Sequence, residues 1–143
     1  MQAKQLSVFI ENREGRLDEV LAVIKTAGVN ILSLSLADTS EYGLLRLIVS
    51  DPAKADAALK ESGFSSMLTD VLVVRLENKV GSLQAFLSEI AKTDINLEYM
   101  YGLTIEKEGK ASLVIKASDL KKAADILVGS GAELLTAEDI AAL

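Results

Sequence analysis

The sequence contains no cysteine, no histidine and no tryptophan, and it has a single proline among 143 residues. The absence of cysteine excludes disulfides, thiolate nucleophiles and cysteine-based metal sites. The absence of histidine excludes a histidine general base, a Ser-His-Asp triad and the commonest ligand of transition metals. From this composition we expect neither a metal nor any other cofactor.

Positive charge is also scarce, since 15 Lys and Arg against 21 Asp and Glu give a net charge of −6. Proteins that bind a phosphate backbone are typically basic, so this balance argues against a nucleic-acid partner. Apolar runs such as residues 71–74 are far shorter than the roughly 20 residues of a membrane-spanning helix. The first ten residues lack the apolar stretch of a signal peptide. We therefore expect a cytoplasmic protein that contacts neither nucleic acid nor a membrane.

The sequence does contain an internal repeat with an offset of 66 residues, which carries residues 12–17 (NREGRL) onto residues 78–83 (NKVGSL). The same offset places Asn30-Ile31 on Asn96-Leu97 and Gly43 on Gly109. After a two-residue insertion the match continues, with Ser62-Gly63 on Ser130-Gly131. The repeat predicts two domains, residues 1–68 and residues 69–143.

Each half shows the same succession of strand and helix patterns. Apolar residues alternate at Leu6, Val8 and Ile10, which predicts a half-buried strand. A helical stripe follows at Leu17, Val20, Leu21 and Ile24, and we expect Leu17 and its copy Leu83 to lie in the cores. Further strands are predicted at residues 32–36, 42–49 and 65–68, with a second helix that begins at Asp51-Pro52.

The second half repeats these patterns in the same order. Strands are predicted at residues 72–76, 97–101, 111–116 and 133–136, and helices at residues 83–90 and 120–127. Gly28, Gly63 and Gly131 are predicted to end helices. Asp94 occupies the position that corresponds to Gly28, so that helix must end differently. The tail from residue 137 is predicted to add a helical turn capped by Thr136.

The order β-α-β-β-α-β in each half predicts an α+β fold of two ferredoxin-like repeats, each an antiparallel sheet with its helices on one face. In this fold we expect the second strand of each repeat at a sheet edge. The junction at residues 67–73 is too short for a loose linker, so we expect the halves to pack as a pseudo-dimer. Pairing of the second-strand edges would then form one eight-stranded sheet.

Fold alone does not determine function, and the residues bear on three further classes of function. RNA recognition needs aromatic residues on the central strands, and residues 71–77 and 111–116 contain none. A small phosphoryl- or acyl-group enzyme would depend on Asn12, Arg13 and Arg16 around Gly15, an arrangement that Val80-Gly81-Ser82 does not repeat. The third class is a structural partner module that binds no ligand.

The motif Asn-x-x-Gly-x-Leu at residues 12–17, followed by residues 27–31 (AGVNI), resembles the ACT domain. ACT domains are small regulatory modules that bind amino acids and are often attached to metabolic enzymes. Residues 78–83 with residues 94–97 (DINL) resemble a second copy, so the resemblance covers nearly the whole chain. It implies a regulatory protein without catalysis that binds a free amino acid at interfaces between repeats and has a metabolic enzyme as its partner.

The residues themselves suit such a ligand. Gly15 precedes a predicted helix, whose N-terminus exposes unpaired N–H groups and a partial positive charge that attract a carboxylate. Glycine lets a ligand approach the backbone, and an asparagine can serve an ammonium or a carboxylate. The candidate ligand-binding residues are Asn12, Gly15, Arg16, Leu17, Asn30 and Ile31 in the first half, and Asn78, Val80, Gly81, Ser82, Leu83, Asn96 and Leu97 in the second.

Structural interpretations of the same residues stay open. The two loop glycines can serve only as turn residues, Asn12 and Asn78 can cap helices, Asn30 and Asn96 can help the chain turn, and Arg16 can be a solvated charge. The motif also departs from the family pattern. Some ACT sites carry a histidine shortly before the asparagine, where Ile10 and Leu76 stand, and the usual proline before the glycine is Glu14 or Val80. These departures leave the recognised amino acid open.

The sheet face opposite the helices is predicted to be unusually apolar, with Phe9, Leu44, Ile48, Val73 and Val114 on it. Because a large apolar surface on a monomer commonly marks an interface, this pattern predicts at least a homodimer.

Overall fold

The computed structural model describes residues 2–11, 13–38, 41–103 and 109–143. Contacts within the chain divide it into two compact units. The first unit comprises Lys4–Thr69 with Ile140–Leu143, and the second comprises Asp70–Asp139 with Met1–Ala3. Each end of the chain therefore belongs to the unit that is built from the other half.

The order of elements confirms the predicted β-α-β-β-α-β repeats. The first repeat contains β1 (Lys4–Glu11), α1 (Arg16–Thr26), β2 (Ile31–Asp38), β3 (Tyr42–Val49), α2 (Pro52–Glu61) and β4 (Ser65–Asp70). The second contains β5 (Leu72–Glu77), α3 (Ser82–Ala91), β6 (Leu97–Gly102), β7 (Lys110–Ala117), α4 (Leu120–Gly129) and β8 (Glu133–Leu135), followed by α5 (Ala137–Ala141). Among the described residues, no helix combines the length and the apolar character needed to cross a membrane.

The strands form two separate four-stranded sheets, in the orders β2-β3-β1-β4 and β6-β7-β5-β8. Strands β2 and β6 lie at sheet edges, as predicted. The expectation of one eight-stranded sheet is wrong for the described strands of a single chain, because β2 and β6 pair only with β3 and β7. In the first sheet β1 is antiparallel to β3, from Leu6 opposite Leu47 to Glu11 opposite Tyr42.

Each repeat buries its own core between the sheet and its two helices. The alternating residues of β1 and β5 supply one side of these cores, and the helical stripes supply the other. In the first repeat these residues are Leu6, Val8, Ile10, Val20, Ile24, Ala55 and Leu59, and in the second they are Leu72, Val74, Leu76, Ile90, Ala123 and Leu127. The period of two in the strands and of 3.6 in the helices therefore identified the buried faces.

The helix ends follow the predicted local signals. The backbone N–H of Lys54 donates to Asp51 Oδ1 at 3.2 Å, and that of Lys122 donates to Asp119 Oδ1 at 3.0 Å, so an aspartate caps α2 and α4 alike. Helix α3 ends without a glycine, because the Thr93 hydroxyl donates to the carbonyl oxygen of Ile90 at 2.6 Å. The backbone N–H of Asp139 donates to Thr136 Oγ1 at 3.1 Å, which confirms Thr136 as the cap of α5.

The strand registers correct one part of the repeat alignment. Gly43 lies opposite Ile10, whereas Ala111 lies opposite Leu76, so Gly43 corresponds to Ala111 and its alignment with Gly109 is wrong. The two-residue insertion therefore precedes β7, and Tyr42 corresponds to Lys110. Glycine at position 43 allows close packing, because a Cβ there would lie 3.2 Å from Ile10 Cγ1. Glycine at position 109 has a different role, because its φ of +76° lies in the left-handed region.

Candidate ligand-binding site

The N-termini of α1 and α3 are constructed alike. Gly15 and Gly81 are the N-cap residues, each with a φ of 81° in the left-handed region. Among the described residues, no side chain accepts a hydrogen bond from the first turn of either helix. The N-terminal N–H groups therefore lack the side-chain partner that Ser, Thr, Asn or Asp usually provides.

The loops before these glycines share the same backbone hydrogen bonds. Arg13 N donates to Glu11 O at 2.9 Å, and the corresponding Lys79 N donates to Glu77 O at 3.1 Å. Asn12 lies outside the described residues. Asn78 is exposed, its backbone N–H donates to Gly109 O at 3.0 Å, and its side chain does not cap α3.

A depression of about 230 Å³ adjoins the first loop. Its lining contains Leu17 from the predicted set, together with Ile10, Glu11, Arg13, Leu36, Ala37 and Gly43. The sequence analysis missed Leu36 and Ala37 as site residues. They adjoin the loop because the end of β2 and the start of β3 meet the end of β1, as the pairs Asp38–Gly43 and Glu11–Tyr42 show. The antiparallel pairing rule could have found them.

Asn30 and Asn96 lie away from the loops of their own repeats. Ile31 pairs with Val49 at one end of β3, whereas Glu11 pairs with Tyr42 at the other, so roughly 20 Å of strand separates them at about 3.3 Å per residue. The backbone N–H of Asn30 donates to Ser50 Oγ at 2.9 Å, and that of Asn96 donates to Ser118 Oγ at 2.9 Å. Within one repeat these asparagines therefore secure the start of the edge strand.

The remaining apolar candidates fall into two groups. Leu17, Ile31 and Leu97 are partly buried against the cores. Val80 is fully exposed and Leu83 is 41% exposed, so the prediction of a core position for Leu83 is wrong. Leu83 instead lines an open depression along α3 with Leu87, since its position on the helix turns away from the sheet.

Arg16 packs against an aromatic ring at a second depression, which lies on the β4 side of the first repeat and measures about 460 Å³. Its guanidinium carbon lies 4.6 Å from the centroid of the Phe64 ring, and its Nη1 donates to Glu19 Oε2 at 2.6 Å. Its side chain is only 19% exposed, so Arg16 is not a freely solvated charge. Phe9 and Tyr42 complete the aromatic lining of this depression.

The second repeat has an equivalent depression of about 330 Å³ with a different lining. Arg75 is 6% exposed, and its Nη1 lies 3.4 Å from Glu133 Oε1. Ser82 is 9% exposed at the first position of α3. A hydrogen bond and positive charge from Lys79, with further charge from Lys110, lower the pKa of Glu77 below its ordinary value. Sequence analysis missed Arg75, Lys110 and Glu133, which strand pairing brings together, with Arg75 opposite Glu133 and Glu77 opposite Lys110.

The whole chain, residues 1–143, matches the family model of an ACT domain pair. It belongs to that family. The structure of protein BT0572 from Bacteroides thetaiotaomicron is 38% identical, with a TM-score of 0.92, over 100% of this chain and 98% of that one. Nothing among curated protein sequences matches the chain.

Two more distant structures share the fold of this ACT domain pair. The regulatory subunit of aspartate kinase from Thermus thermophilus, in a ligand-free form, has a TM-score of 0.65 at 15% identity, over 91% of this chain and 93% of that one. The corresponding subunit from Thermus flavus has a TM-score of 0.61 at 18% identity, over 91% of this chain and 93% of that one. The described part of the ACT domain pair contains no group of three or more potential metal-ligating side chains.

Proposed function

We propose that this ACT domain pair is a regulatory protein without catalysis of its own, and that it binds a free amino acid at the loops before α1 and α3. One observation carries the proposal: both loops end in a left-handed glycine at a helix N-terminus that no described side chain caps. Duplication of this feature in two repeats indicates a role beyond a single turn.

The chemistry of the first loop suits an amino acid. A carboxylate is stabilised by the N–H groups and the partial positive charge of the α1 N-terminus. The glycine at position 15 leaves the backbone open, because a Cβ there would have only Glu19 Oε1 within 4 Å, at 4.0 Å. The adjoining depression offers Leu17 and Leu36 to an apolar side chain, and the Glu11 carboxylate, which is exposed and paired with Arg13 Nε at 2.9 Å, to the ammonium. Its volume of about 230 Å³ suits a small amino acid.

Regulation requires that the ligand bind one conformation or assembly better than another. We propose a homodimer, supported by exposed apolar side chains on the edge strand β2, where Leu34 is 46% and Leu36 is 48% exposed. We also propose that a cytoplasmic metabolic enzyme is the regulated partner, in line with the likeness to regulatory subunits of aspartate kinase.

A thermal-shift screen with each of the twenty amino acids tests this function. Because a ligand that binds only the native state raises its stability, about 100 Kd of the right amino acid should stabilise by about 2.7 kcal/mol. Asn12→Ala and Asn78→Ala should each weaken the response, whereas Thr26→Ala, an exposed substitution at the far end of α1, should preserve it. A screen with no shift, together with no heat of binding by calorimetry, contradicts the proposal.

The contacts of the two arginines offer no support to the catalytic alternative. Arg13 Nε donates to Glu11 Oε2 at 2.9 Å, and Arg16 is held between Phe64 and Glu19.

A further inference from the structure

The depressions on the β4 side of the first repeat and the β8 side of the second occupy equivalent positions but have opposite chemistry. The first presents three aromatic side chains, Phe9, Tyr42 and Phe64, and one cation, Arg16, which is already stacked on Phe64 and paired with Glu19. In the second, Arg75 replaces Phe9 and Lys110 replaces Tyr42, and Lys79 joins the lining. An aromatic site has thus become a cationic one in the same chain.

We propose that the β8-side depression, lined by Arg75, Lys79, Ser82 and Lys110, binds the oxyanion of a small ligand, a carboxylate or a phosphate, and that the β4-side depression does not. The site lies between the end of β5, the first turn of α3 and the residues at the start of β8. Its volume of about 330 Å³ accommodates a small metabolite.

Ser82 provides an observation independent of the cationic lining. It is 9% exposed and lines the depression, yet its hydroxyl has no hydrogen-bond partner among residues 2–11, 13–38, 41–103 and 109–143. Ser82 Oγ is not among the fully buried polar atoms that lack a partner, so it faces the depression and is open to a ligand there. An oxyanion in the depression supplies the acceptor that the hydroxyl lacks, and the uncapped first turn of α3 adds backbone donors.

Two carboxylates share the depression and must be weighed against this positive charge. Glu77 Oε2 lies 2.9 Å from Lys79 Nζ, and Glu133 Oε1 lies 3.4 Å from Arg75 Nη1. Both glutamate side chains are more than half exposed. The exposed Lys79–Glu77 pair contributes only about 0–1 kcal/mol, so a ligand oxyanion can replace it. Arg75 is buried, so an oxyanion that binds it takes the place of the exposed Glu133 carboxylate. The lining carries three cations against two anions, in a chain whose net charge is −6.

The oxyanion site shares the loop before α3 with the proposed function and rests on it there, but the two have separable outcomes. The depression is bounded by β8, at the sheet edge opposite β6, whereas the depression proposed for the amino acid adjoins β2 in the first repeat. A chain that binds glutamine and glutamate equally retains the proposed function and overturns the oxyanion site. A chain that binds no amino acid but binds glutarate or inorganic phosphate supports the oxyanion site alone.

Calorimetric titration of the full chain with glutamate, glutamine, glutarate and inorganic phosphate tests the inference. We expect glutarate or phosphate to bind, and glutamate to bind more tightly than glutamine, with an affinity that falls as salt is added. The better of glutarate and phosphate identifies the source of the oxyanion. No binding of glutarate or phosphate at about 0.01 M overturns the inference, because weak metabolite sites fill at about this ligand concentration. Equal affinity for glutamate and glutamine overturns it as well.

Variants locate the binding. Lys110→Tyr, which installs the residue of the first repeat, should weaken oxyanion binding about tenfold, because a hydrogen bond to a charged group contributes about 1.5–3 kcal/mol. Ser82→Ala should weaken it without loss of stability. Lys121→Tyr removes the same charge from an exposed position of α4 outside the depression and should leave binding unchanged. Equal losses in Lys110→Tyr and Lys121→Tyr would show a nonspecific charge effect and reject the site.

Discussion

Arg16 lies over the ring of Phe64, with its guanidinium carbon 4.6 Å from the ring centroid. The second repeat has neither side chain, because Ser82 and Ala132 occupy the equivalent positions. The Nε of Arg16 is buried and has no hydrogen-bond partner among the described residues. The ring and the ion pair with Glu19 therefore hold this arginine, and both contacts are specific to the first repeat.

We predict that Arg16→Ala lowers the free energy of unfolding by about 1 kcal/mol, through loss of the cation–π contact and of the apolar packing of the arginine stem. Urea denaturation followed by circular dichroism measures this change. Ser82→Ala, at the equivalent position, removes a hydroxyl without a described partner and should be neutral or slightly stabilising. Equal destabilisation by the two substitutions would contradict the role assigned to the stack.

Gly81 and Gly129 offer a matched pair of glycine substitutions. Gly81 has a φ of 81°, so alanine there should cost about 1–2 kcal/mol although nothing lies within 4 Å of the added Cβ. Gly129 ends α4 without a positive φ, and its Cβ position is also open, so Gly129→Ala should stabilise by about 0.4–1 kcal/mol. Opposite signs in the two denaturation curves are the expected result, and equal signs would contradict it.

The aspartate caps of α2 and α4 should contribute independently. Asp51→Ala and Asp119→Ala should each destabilise by about 1 kcal/mol, because each leaves a first-turn N–H without its acceptor. Asp51→Asn and Asp119→Asn should be much milder, since asparagine retains a side-chain oxygen. The double alanine variant should show the sum of the single effects within about 0.5 kcal/mol, because distant sites are additive. If the asparagine variants lost as much stability as the alanine variants, the capping role of Asp51 and Asp119 would be contradicted.

Asp56 should make the first repeat sensitive to acid. Burial alone would raise the pKa of this carboxyl, but the hydrogen bonds from Lys60 and Ser66, at 2.8 and 2.7 Å, outweigh it and lower the pKa below its ordinary value. A lowered pKa in the folded state stabilises the fold above the ordinary pKa, and this stabilisation is lost as the pH falls through the folded value.

The variant Asp56→Asn tests this dependence. The stability difference between the parent chain and this variant should be constant near neutral pH and should shrink below about pH 5. Urea midpoints measured from pH 7 to pH 3 report this stability difference. The control is Asp125→Asn, which removes the charge of an exposed carboxylate on α4. A difference that does not change with pH would contradict the assignment.

Local patterns in the sequence determined the elements of this protein. The alternation in β1, the helical stripe of α1 and the Asp51-Pro52 start signal each depend on residues close in the chain, so their physics can be read without tertiary contacts. Duplication of these patterns determined the two-repeat organisation, and the Asn-x-x-Gly-x-Leu motif indicated the ACT family.

Tertiary structure decided which residues lie beside the loops. Leu36 reaches the first loop because of the antiparallel register, and the same register separates Asn30 from it by the length of the sheet. Phe64 meets Arg16 only because β4 folds back beside β1. Such neighbours are far apart in sequence, and a local period specifies only the face on which a side chain lies. Strand order and register then select the neighbour across that face, so the contrast between the aromatic and the cationic depression emerged only from the folded chain.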